Sequence, residues 1–143
     1  MLVTGGTGFI GSNLVRSLFA HGDEVFATGT RGEQSLPLAA ERVFPLDVAK
    51  LDWHTLGTLD AVLHLAANND TTLLGRETMV RANVQASQRL FEDAVRHGCR
   101  RIVYASSTAV YGDVEAPYRE DGPVHPLNPY SESKLLLDEF AQS

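Results

Sequence analysis

Short apolar runs alternate along the whole chain with longer stretches in which apolar residues recur every three or four positions. The short runs predict β-strands, because each is apolar and is bounded by glycine or polar residues. The predicted strands are Leu2–Val3, Val25–Thr28, Val43–Leu46, Ala61–Leu65 and Arg101–Ser106. Strands that alternate with helices are typical of βαβ units, so we expect a parallel sheet in one domain over residues 1–143.

The longer stretches predict three helices. Apolar residues at four-residue spacing between positions 10 and 18 predict a helix directly after the first strand. The same spacing between Val80 and Val95 predicts a second helix, with Gly98 as its C-terminal cap. A third helix is expected to begin near Tyr130, because a proline-rich loop precedes it.

Composition narrows the possible partners. The 143 residues include 12 basic and 18 acidic side chains, and the net charge of −6 argues against nucleic-acid binding. No apolar run reaches the roughly 18 residues of a membrane span and the N-terminus lacks a basic leader, so we expect a cytoplasmic protein with no membrane partner. One cysteine, Cys99, excludes an intramolecular disulfide and a cysteine-based zinc site, and we expect no metal.

A glycine-rich turn joins the first strand to the first helix. Residues 4–11 read TGGTGFIG, which places glycines at positions 5, 8 and 11. Gly5 would permit the tight turn, Gly8 would let a pyrophosphate approach the backbone, and Gly11 would let helix and sheet pack closely. The helix dipole and the free amides at the helix start favour phosphate binding. The segment therefore predicts a dinucleotide site; the alternative is an ordinary strand-to-helix turn.

Two further segments suggest chemistry. Tyr130 and Lys134 lie four residues apart and would share one face of a helix. A free phenol, with a pKa near 10, is a poor proton shuttle at neutral pH, and a neighbouring ammonium favours its ionised form. Residues 106–112 follow the fifth strand, at the sheet edge where open parallel sheets bind ligands. Alone, a Tyr-Lys pair at this spacing is more often surface decoration than a catalytic pair.

Four segments of the chain together resemble those of a known enzyme family. They are the TGGTGFIG turn, HLAA at 64–67, STAVYG at 107–112 and YSESK at 130–134. The chain resembles the extended short-chain dehydrogenase/reductase family of sugar-nucleotide epimerases, dehydratases and reductases, over its whole length but only in the family's N-terminal half. The resemblance implies a Rossmann-type, doubly wound parallel α/β sheet of about five strands with helices on both faces. The family's C-terminal strands and substrate domain would be missing.

The resemblance also implies which residues contact the cofactor. Asp47 would contact the adenine, although a solvated strand-end carboxylate is the alternative. Asn83 would support the active-site lysine through water, although it could instead be a helix-surface asparagine. For His64, which lies among apolar residues, we expect a packed structural role rather than a metal or base role. The complete set of implied cofactor contacts is Gly5, Gly8, Phe9, Ile10, Gly11, Arg31, Asp47, Val48, Leu65, Ala66, Ala67, Asn83, Tyr130 and Lys134.

The same resemblance implies the reaction. Ser107 would hydrogen-bond the reacting oxygen, Tyr130 would exchange a proton with it and Lys134 would also hold the nicotinamide ribose. The expected function is an NAD(P)-dependent oxidoreductase or epimerase acting on a sugar nucleotide by hydride transfer. Dehydration is disfavoured, because Thr108 and Ala109 stand where the family's 4,6-dehydratases carry an Asp-Glu pair. The alternative is a dinucleotide-binding module that needs a partner chain for turnover; self-association as a homo-oligomer is also expected.

Cofactor choice depends on the end of the second strand. Folds that prefer NAD carry an acidic residue there for the ribose 2′-OH, and the family pattern places Gly29 at that position. Arg31 could pair with the 2′-phosphate of NADP, so the sequence favours NADP over NAD. The alternative is that Arg31 is a solvated loop arginine.

Overall fold

The computed structural model describes residues 1–30, 36–70 and 75–143. These residues form two compact units. The first unit comprises residues 1–66 and 89–105, and the second comprises residues 67–88 and 106–143. Over the described ranges, no helix is both long enough and apolar enough to cross a bilayer.

The first unit contains a five-stranded parallel sheet. Its strands are β1 (Leu2–Thr4), β2 (Phe26–Thr28), β3 (Val43–Phe44), β4 (Ala61–His64) and β5 (Arg101–Tyr104). Their order is β3-β2-β1-β4-β5, and every pairing is parallel. The parallel α/β fold predicted from the sequence is thereby confirmed as Rossmann-like. Because the order reverses between β1 and β4, the carboxyl ends of these two strands flank the position where such sheets bind ligands.

Strand β1 extends one residue beyond the run that predicts it, whereas β2, β3, β4 and β5 are each one or two residues shorter than predicted. Leu2 pairs with Val62 and Phe26, and the buried faces of β1 and β2 meet helix α1 (Phe9–His21) through Val15. The residues of β1 are buried on both faces of the sheet, including the polar Thr4 at its end, so the strand does not alternate between buried and exposed positions. One cluster of the core of this unit contains Val3, Val15, Val25 and Ala27, all fully buried.

Helix α1 follows the sequence pattern and ends at a glycine. Gly22 adopts φ of +94°, and its amide and that of Asp23 bond to the carbonyls of Phe19 and Leu18. Such a left-handed residue closes a helix and turns the chain towards the next strand. Gly98 performs the same role after α3 (Ala86–Arg96), with φ of +79°, as the sequence predicts.

The second predicted helix is not continuous. Helix α2 (Arg76–Val80) leads into a π-helical segment (Arg81–Gln85), and α3 begins only at Ala86. The predicted face is buried at Val84, Ser87 and Phe91 but exposed at Val95, and the predicted continuous α-helix is wrong over the π-helical segment. Such π-helical turns are rare and are found most often at functional sites.

Helix α4 (Pro129–Gln142) is the main element of the second unit. It begins one residue before the predicted start, because Asn128 caps it and Pro129 occupies its first turn. The Asn128 side chain accepts a hydrogen bond from the Ser131 amide, and the Ser131 hydroxyl oxygen accepts one from the Asn128 amide. Helix α4 packs against α2, the π-helical segment and a 3₁₀ turn (Thr108–Tyr111). Together these contacts bury Ser131, Ser133, Lys134 and Leu137.

Candidate functional site

The glycine-rich turn lies against the end of β4. Gly5 has φ of +68°, a conformation that favours glycine, and a Cβ there would stand 2.9 Å from the amide nitrogen of Ala66. The hydroxyl of Thr4, just before the turn, accepts hydrogen bonds from the amides of Leu65 and Ala66, each at 3.2 Å. The structure therefore brings three predicted cofactor residues, Gly5, Leu65 and Ala66, to the carboxyl ends of adjacent strands.

The close packing assigned to Gly11 is found at a different glycine. A Cβ on Gly6 would lie 2.8 Å from the Cβ of Ala27, and the Gly6 amide donates to the Thr28 carbonyl of β2 at 2.7 Å. A Cβ on Gly11 would instead collide with the carbonyl group of Gly5. Gly6 therefore lets the turn approach the sheet, whereas Gly11 lets α1 approach the turn.

Gly8 leaves open space where a ligand would need it. Among the residues that the structure describes, a Cβ at Gly8 would contact only the Gly5 carbonyl oxygen, at 3.2 Å. Gly8 is also the N-cap of α1, and neither a side-chain cap nor an acidic residue in the first turn occupies that end. Phe9 and Ile10 are 85% and 67% exposed, which is unusual for large apolar side chains at the start of an amphipathic helix. The first-turn amides, which have no acceptor within the helix, fit an anionic group such as a pyrophosphate.

Gly29 directly follows β2, and the side chain of Thr7 fills the space in which a side chain at position 29 would begin. The hydroxyl and methyl groups of Thr7 occupy the region that a Cβ on Gly29 would need. Both residues are buried. Arg31, the predicted partner of a 2′-phosphate, lies outside the described residues.

The remaining predicted residues of the first unit have structural roles in this fold. Asp47 is exposed, and its Oδ1 accepts a hydrogen bond from the Ala49 amide at 3.0 Å, which starts the 3₁₀ turn that contains Val48. His64 is only 2% exposed, with Nδ1 2.7 Å from the Thr4 hydroxyl. It packs edge-on against Phe91, in agreement with the expected structural role. The described residues contain no cluster of three or more His, Cys, Asp or Glu side chains suited to a metal.

Tyr130 and Lys134 share one face of α4. The Lys134 ammonium lies 5.9 Å from the centre of the Tyr130 ring. Lys134 is only 4% exposed, whereas Tyr130 is half-buried. Burial lowers the pKa of Lys134 below its usual 10.5, and the negative charge of Asp138 partly counters that effect. A pair on the helix surface would carry no such cost, so the burial of Lys134 argues against mere surface decoration.

Ser107 occupies the N-cap position of the 3₁₀ turn that packs on α4. Its Oγ accepts a hydrogen bond from the Ala109 amide at 3.2 Å, which fixes the side chain at the start of this turn. The contact of the turn with α4 places Ser107 in the same unit as Tyr130 and Lys134.

Asn83 lies inside the π-helical segment and is 2% exposed, so the interpretation as a helix-surface asparagine is wrong. Its Oδ1 accepts from the Asn68 amide at 2.7 Å, and its Nδ2 donates to the Asn68 carbonyl at 2.8 Å and the Ser133 hydroxyl at 3.1 Å. The side chain therefore ties residue 68 to α4, beside Lys134. Ala67, a predicted cofactor residue, is exposed and directly precedes this tie.

Sequence reasoning missed two partners of this network, Asn68 and Ser133. Both are polar residues next to a predicted site residue, yet neither shows the spacing of a motif. Only the tertiary contacts of Asn83, with residue 68 and with Ser133 of α4, identify them.

Comparisons with known proteins agree with this geometry. The sequence profile of the NAD dependent epimerase/dehydratase family matches residues 1–143. An ADP-L-glycero-D-manno-heptose-6-epimerase from Alkalilimnicola ehrlichii is 41% identical, over 98% of this chain and 46% of that protein. A dTDP-glucose 4,6-dehydratase from Streptomyces griseus is 37% identical, over 99% of this chain and 48% of that protein.

Solved structures show the same likeness. The structure of MoeE5 in complex with UDP-glucuronic acid and NAD superposes with a TM-score of 0.85 at 38% identity, over 98% of this chain and 47% of that one. The chain thus spans about half the length of the relatives it matches. With a match of the family profile along its entire length, the chain belongs to the NAD-dependent epimerase/dehydratase family.

Proposed function

We propose that this chain binds a nicotinamide dinucleotide and supplies the proton-transfer groups for its reaction with a sugar nucleotide. The observation that carries this proposal is the burial of Lys134, 4% exposed, one helical turn from Tyr130. Burying an ammonium is costly, so its position beside the Tyr130 phenol is evidence for a role in chemistry rather than in packing. The family's activity on sugar nucleotides gives the substrate class.

The first unit is proposed to hold the dinucleotide. The uncapped amides at the start of α1 would bind the pyrophosphate, and the open space at Gly8 would admit it. Asp47 and Val48 would lie beside the adenine, and the exposed Phe9 and Ile10 would gain contacts on binding. Bound NAD or NADP supplies the hydride acceptor and donor of the reaction.

The second unit is proposed to handle the proton. Tyr130 would take the proton of a substrate hydroxyl group as hydride leaves the same carbon, and would return it in the reverse direction. Ser107 would hydrogen-bond the reacting oxygen, with its own side chain fixed by the Ala109 amide. Lys134 would favour the phenolate of Tyr130 and donate to the nicotinamide ribose.

Within the family, epimerisation or carbonyl reduction is proposed in preference to dehydration. Elimination of water needs an acid and a base, and Thr108 and Ala109 stand where the family's dehydratases place an Asp-Glu pair. Neither the aliphatic hydroxyl of Thr108 nor the methyl group of Ala109 has a pKa that would let it act as a general acid or base near neutral pH. The similarity to a dehydratase therefore supports the fold and cofactor rather than the elimination chemistry.

NADP is proposed as the preferred cofactor. Gly29 has no carboxylate for a ribose 2′-OH, and Thr7 fills the space in which such a side chain would begin. Arg31 would supply the positive charge for the 2′-phosphate.

The second candidate is a dinucleotide-binding module without turnover of its own. It needs only the features of the first unit, the uncapped start of α1 and the open space at Gly8. The two candidates share cofactor binding and differ in turnover.

Fluorescence titration of the chain with NADPH and NADH tests both candidates, followed by turnover assays with UDP- and dTDP-sugars. The proposal expects saturable binding that is tighter for NADPH, and Arg31→Ala should remove that preference. Absence of binding would overturn both candidates, and binding without turnover would favour the module. Light scattering of the same samples, with and without cofactor, tests self-association.

A further inference from the structure

The carboxylate of Asp138 has two differently placed oxygens. Oδ2 accepts a hydrogen bond from the Ser106 hydroxyl at 2.5 Å. Oδ1 is inaccessible to solvent and accepts no hydrogen bond from any of the described residues. A carboxylate oxygen withdrawn from water without a hydrogen bond is costly, so a compensating interaction is expected nearby.

The compensating charge lies on the same helix. Tyr130, Lys134 and Asp138 follow one another at four-residue spacing on α4, which places them along one side of the helix. Lys134 is 4% exposed and Asp138 is partly buried, so water screens their charges weakly. Each of the two groups therefore reduces the cost of burying the other.

Other charged groups near α4 are less suited to balancing the charge of Asp138 or of Lys134. Arg76 on α2 and Glu132 on α4 bond to each other through three contacts of 2.6–2.8 Å. Glu77 on α2 and Arg81 on the π-helical segment are exposed. The remaining titratable groups on the elements packed against α4 are Tyr111 on the 3₁₀ turn and, on α4 itself, Tyr130 and Glu139.

We propose that Asp138 is a positioning residue of the proton-transfer helix: its carboxylate balances the buried ammonium of Lys134 and, through Ser106, holds the segment that carries Ser107. The significance of this arrangement rests on the functions proposed above for Lys134 and Ser107. The direction in which Asp138 moves the pKa of Lys134, upwards against the effect of burial, supports the first part. The contact of Ser106 with the last turns of α4 supports the second.

The charge balance can be measured directly, because the sequence contains only two lysines, Lys50 and Lys134. With ¹³Cε-labelled lysine, NMR should show two titrating signals, and exposed Lys50 serves as the internal reference. Asp138→Asn keeps an acceptor for Ser106 but removes the charge. In this variant the Lys134 signal should titrate at lower pH than in the wild type, while the Lys50 signal stays in place.

Glu139→Gln is the matched control, since it removes the same charge from the next, exposed position of α4 and should leave the Lys134 titration unchanged. Asp138→Ser makes the same charge change with a smaller side chain and carries the same expectation, in case the asparagine variant does not fold. If the titration midpoint of Lys134 shifts no further in the folded Asp138 variant than in Glu139→Gln, the proposal that Asp138 balances the Lys134 charge is refuted.

Ser106→Ala tests the second part, because it removes the hydrogen bond and keeps the charge. The Ala109 amide, which donates to Ser107, should exchange about fivefold faster with solvent, as expected for the loss of one hydrogen bond. The Lys134 titration should not move. Ser143→Ala, which removes a hydroxyl contact at the exposed end of α4, is the control and should leave this exchange rate unchanged. An unchanged rate in Ser106→Ala would refute the positioning of Ser107.

Neither measurement depends on turnover or on bound cofactor. A chain that fails to bind dinucleotide but shows both effects would refute the proposed function and leave the role of Asp138 standing. A chain that binds dinucleotide and shows neither effect would refute the role of Asp138 and leave the proposed function standing.

Discussion

The side chain of Thr7, in the glycine-rich turn, occupies the space that a Cβ on Gly29 would need at the end of β2. Thr7 is 8% exposed and has little room to rotate away. Gly29 occupies the place where NAD-preferring folds carry a carboxylate for the ribose 2′-OH. Two residues on different elements therefore act together: as long as Thr7 is present, residue 29 cannot carry an acidic side chain without displacing it.

This relationship predicts that the two positions must change together to alter cofactor choice. Gly29→Asp alone should weaken binding of both NADPH and NADH, since the new side chain collides with Thr7. Thr7→Gly with Gly29→Asp should shift the ratio of affinities towards NADH by about tenfold, the effect of one hydrogen bond to a charged group. Fluorescence titration with each cofactor measures both ratios.

Thr7→Gly alone is the control for this pair, because it opens the space without adding a carboxylate, and it should produce no gain for NADH. If Gly29→Asp alone gains NADH affinity as fully as the double variant, Thr7 moves aside freely and the coupling between the two positions is refuted.

A second prediction separates the glycines that shape the turn from the one that faces a ligand. Gly8→Val should lower dinucleotide affinity by at least about tenfold and leave the fold intact, because only the Gly5 carbonyl lies near its side chain. Gly11→Ala should lower the free energy of unfolding by about 1–3 kcal/mol, because its Cβ collides with that carbonyl. Urea unfolding and cofactor titration of both variants provide the comparison.

The opposite pattern, in which Gly8→Val unfolds the chain or Gly11→Ala leaves its stability unchanged, would show that the roles of these glycines are misassigned. Unchanged affinity in a folded Gly8→Val variant would remove the main support for phosphate binding at this turn.

The features that local sequence dictates could be predicted. The parallel sheet follows from short apolar runs separated by helical patterns, and the end of α3 at Gly98 follows from the need for a left-handed residue. The Tyr130–Lys134 pair follows from helical spacing alone. The signal for each of these features lies within a few residues along the chain, even where the strands that pair lie far apart in sequence.

Features that depend on tertiary contacts could not be predicted. The π-helical segment around Asn83 reads RANVQ, with no glycine or proline to mark an interruption of the helix, so the repeat of apolar residues alone predicts a continuous α-helix. The partners of Asn83 lie 15 and 50 residues away along the chain. Likewise, Gly6 rather than Gly11 meets the sheet because of where β2 lies, which the spacing of the glycines does not encode.

A third prediction concerns the Asn83 network. Asn83→Ala leaves the amide and carbonyl groups of Asn68 and the Ser133 hydroxyl without this partner, so stability should fall by about 1–3 kcal/mol. Gln85→Ala, at an exposed position of the same π-helical segment, should change stability by less than about 0.5 kcal/mol. Urea unfolding measures both. Equal effects of the two substitutions would mean that the helix type, and not the Asn83 side chain, determines stability here.

A fourth prediction follows from the lowered pKa of Lys134. Between this lowered value in the folded state and the ordinary value of 10.5, the unfolded chain binds more protons than the folded one, so Lys134 makes stability rise with pH in that window. Below the window both states are protonated, and the cost of burying the ammonium is fully present. Lys134→Met should abolish this rise, which urea unfolding between neutral pH and about pH 10.5 can follow.

Lys50→Met is the matched control, because Lys50 is the other lysine of the chain and is exposed. Its stability should change with pH in parallel with the wild type. If the stability of Lys134→Met also changes with pH in parallel with the wild type, burial of the Lys134 ammonium has no cost. Its burial would then be no evidence for a role in proton transfer.

The fifth prediction tests proton transfer itself, in a polypeptide that contains these residues and turns over a sugar nucleotide. Tyr130→Phe keeps the ring beside Lys134 and removes the acidic proton, so turnover should fall by about 10²–10⁴-fold, the usual contribution of a general acid–base group. Cofactor affinity should change little. Lys134→Met should lower both turnover and cofactor affinity, because that ammonium is assigned to the phenolate and to the ribose. Tyr118→Phe, in an exposed part of the loop before α4, is the control and should leave both unchanged. Full activity in Tyr130→Phe would place the proton shuttle on another residue, because no other group on that ring could exchange a proton with the substrate.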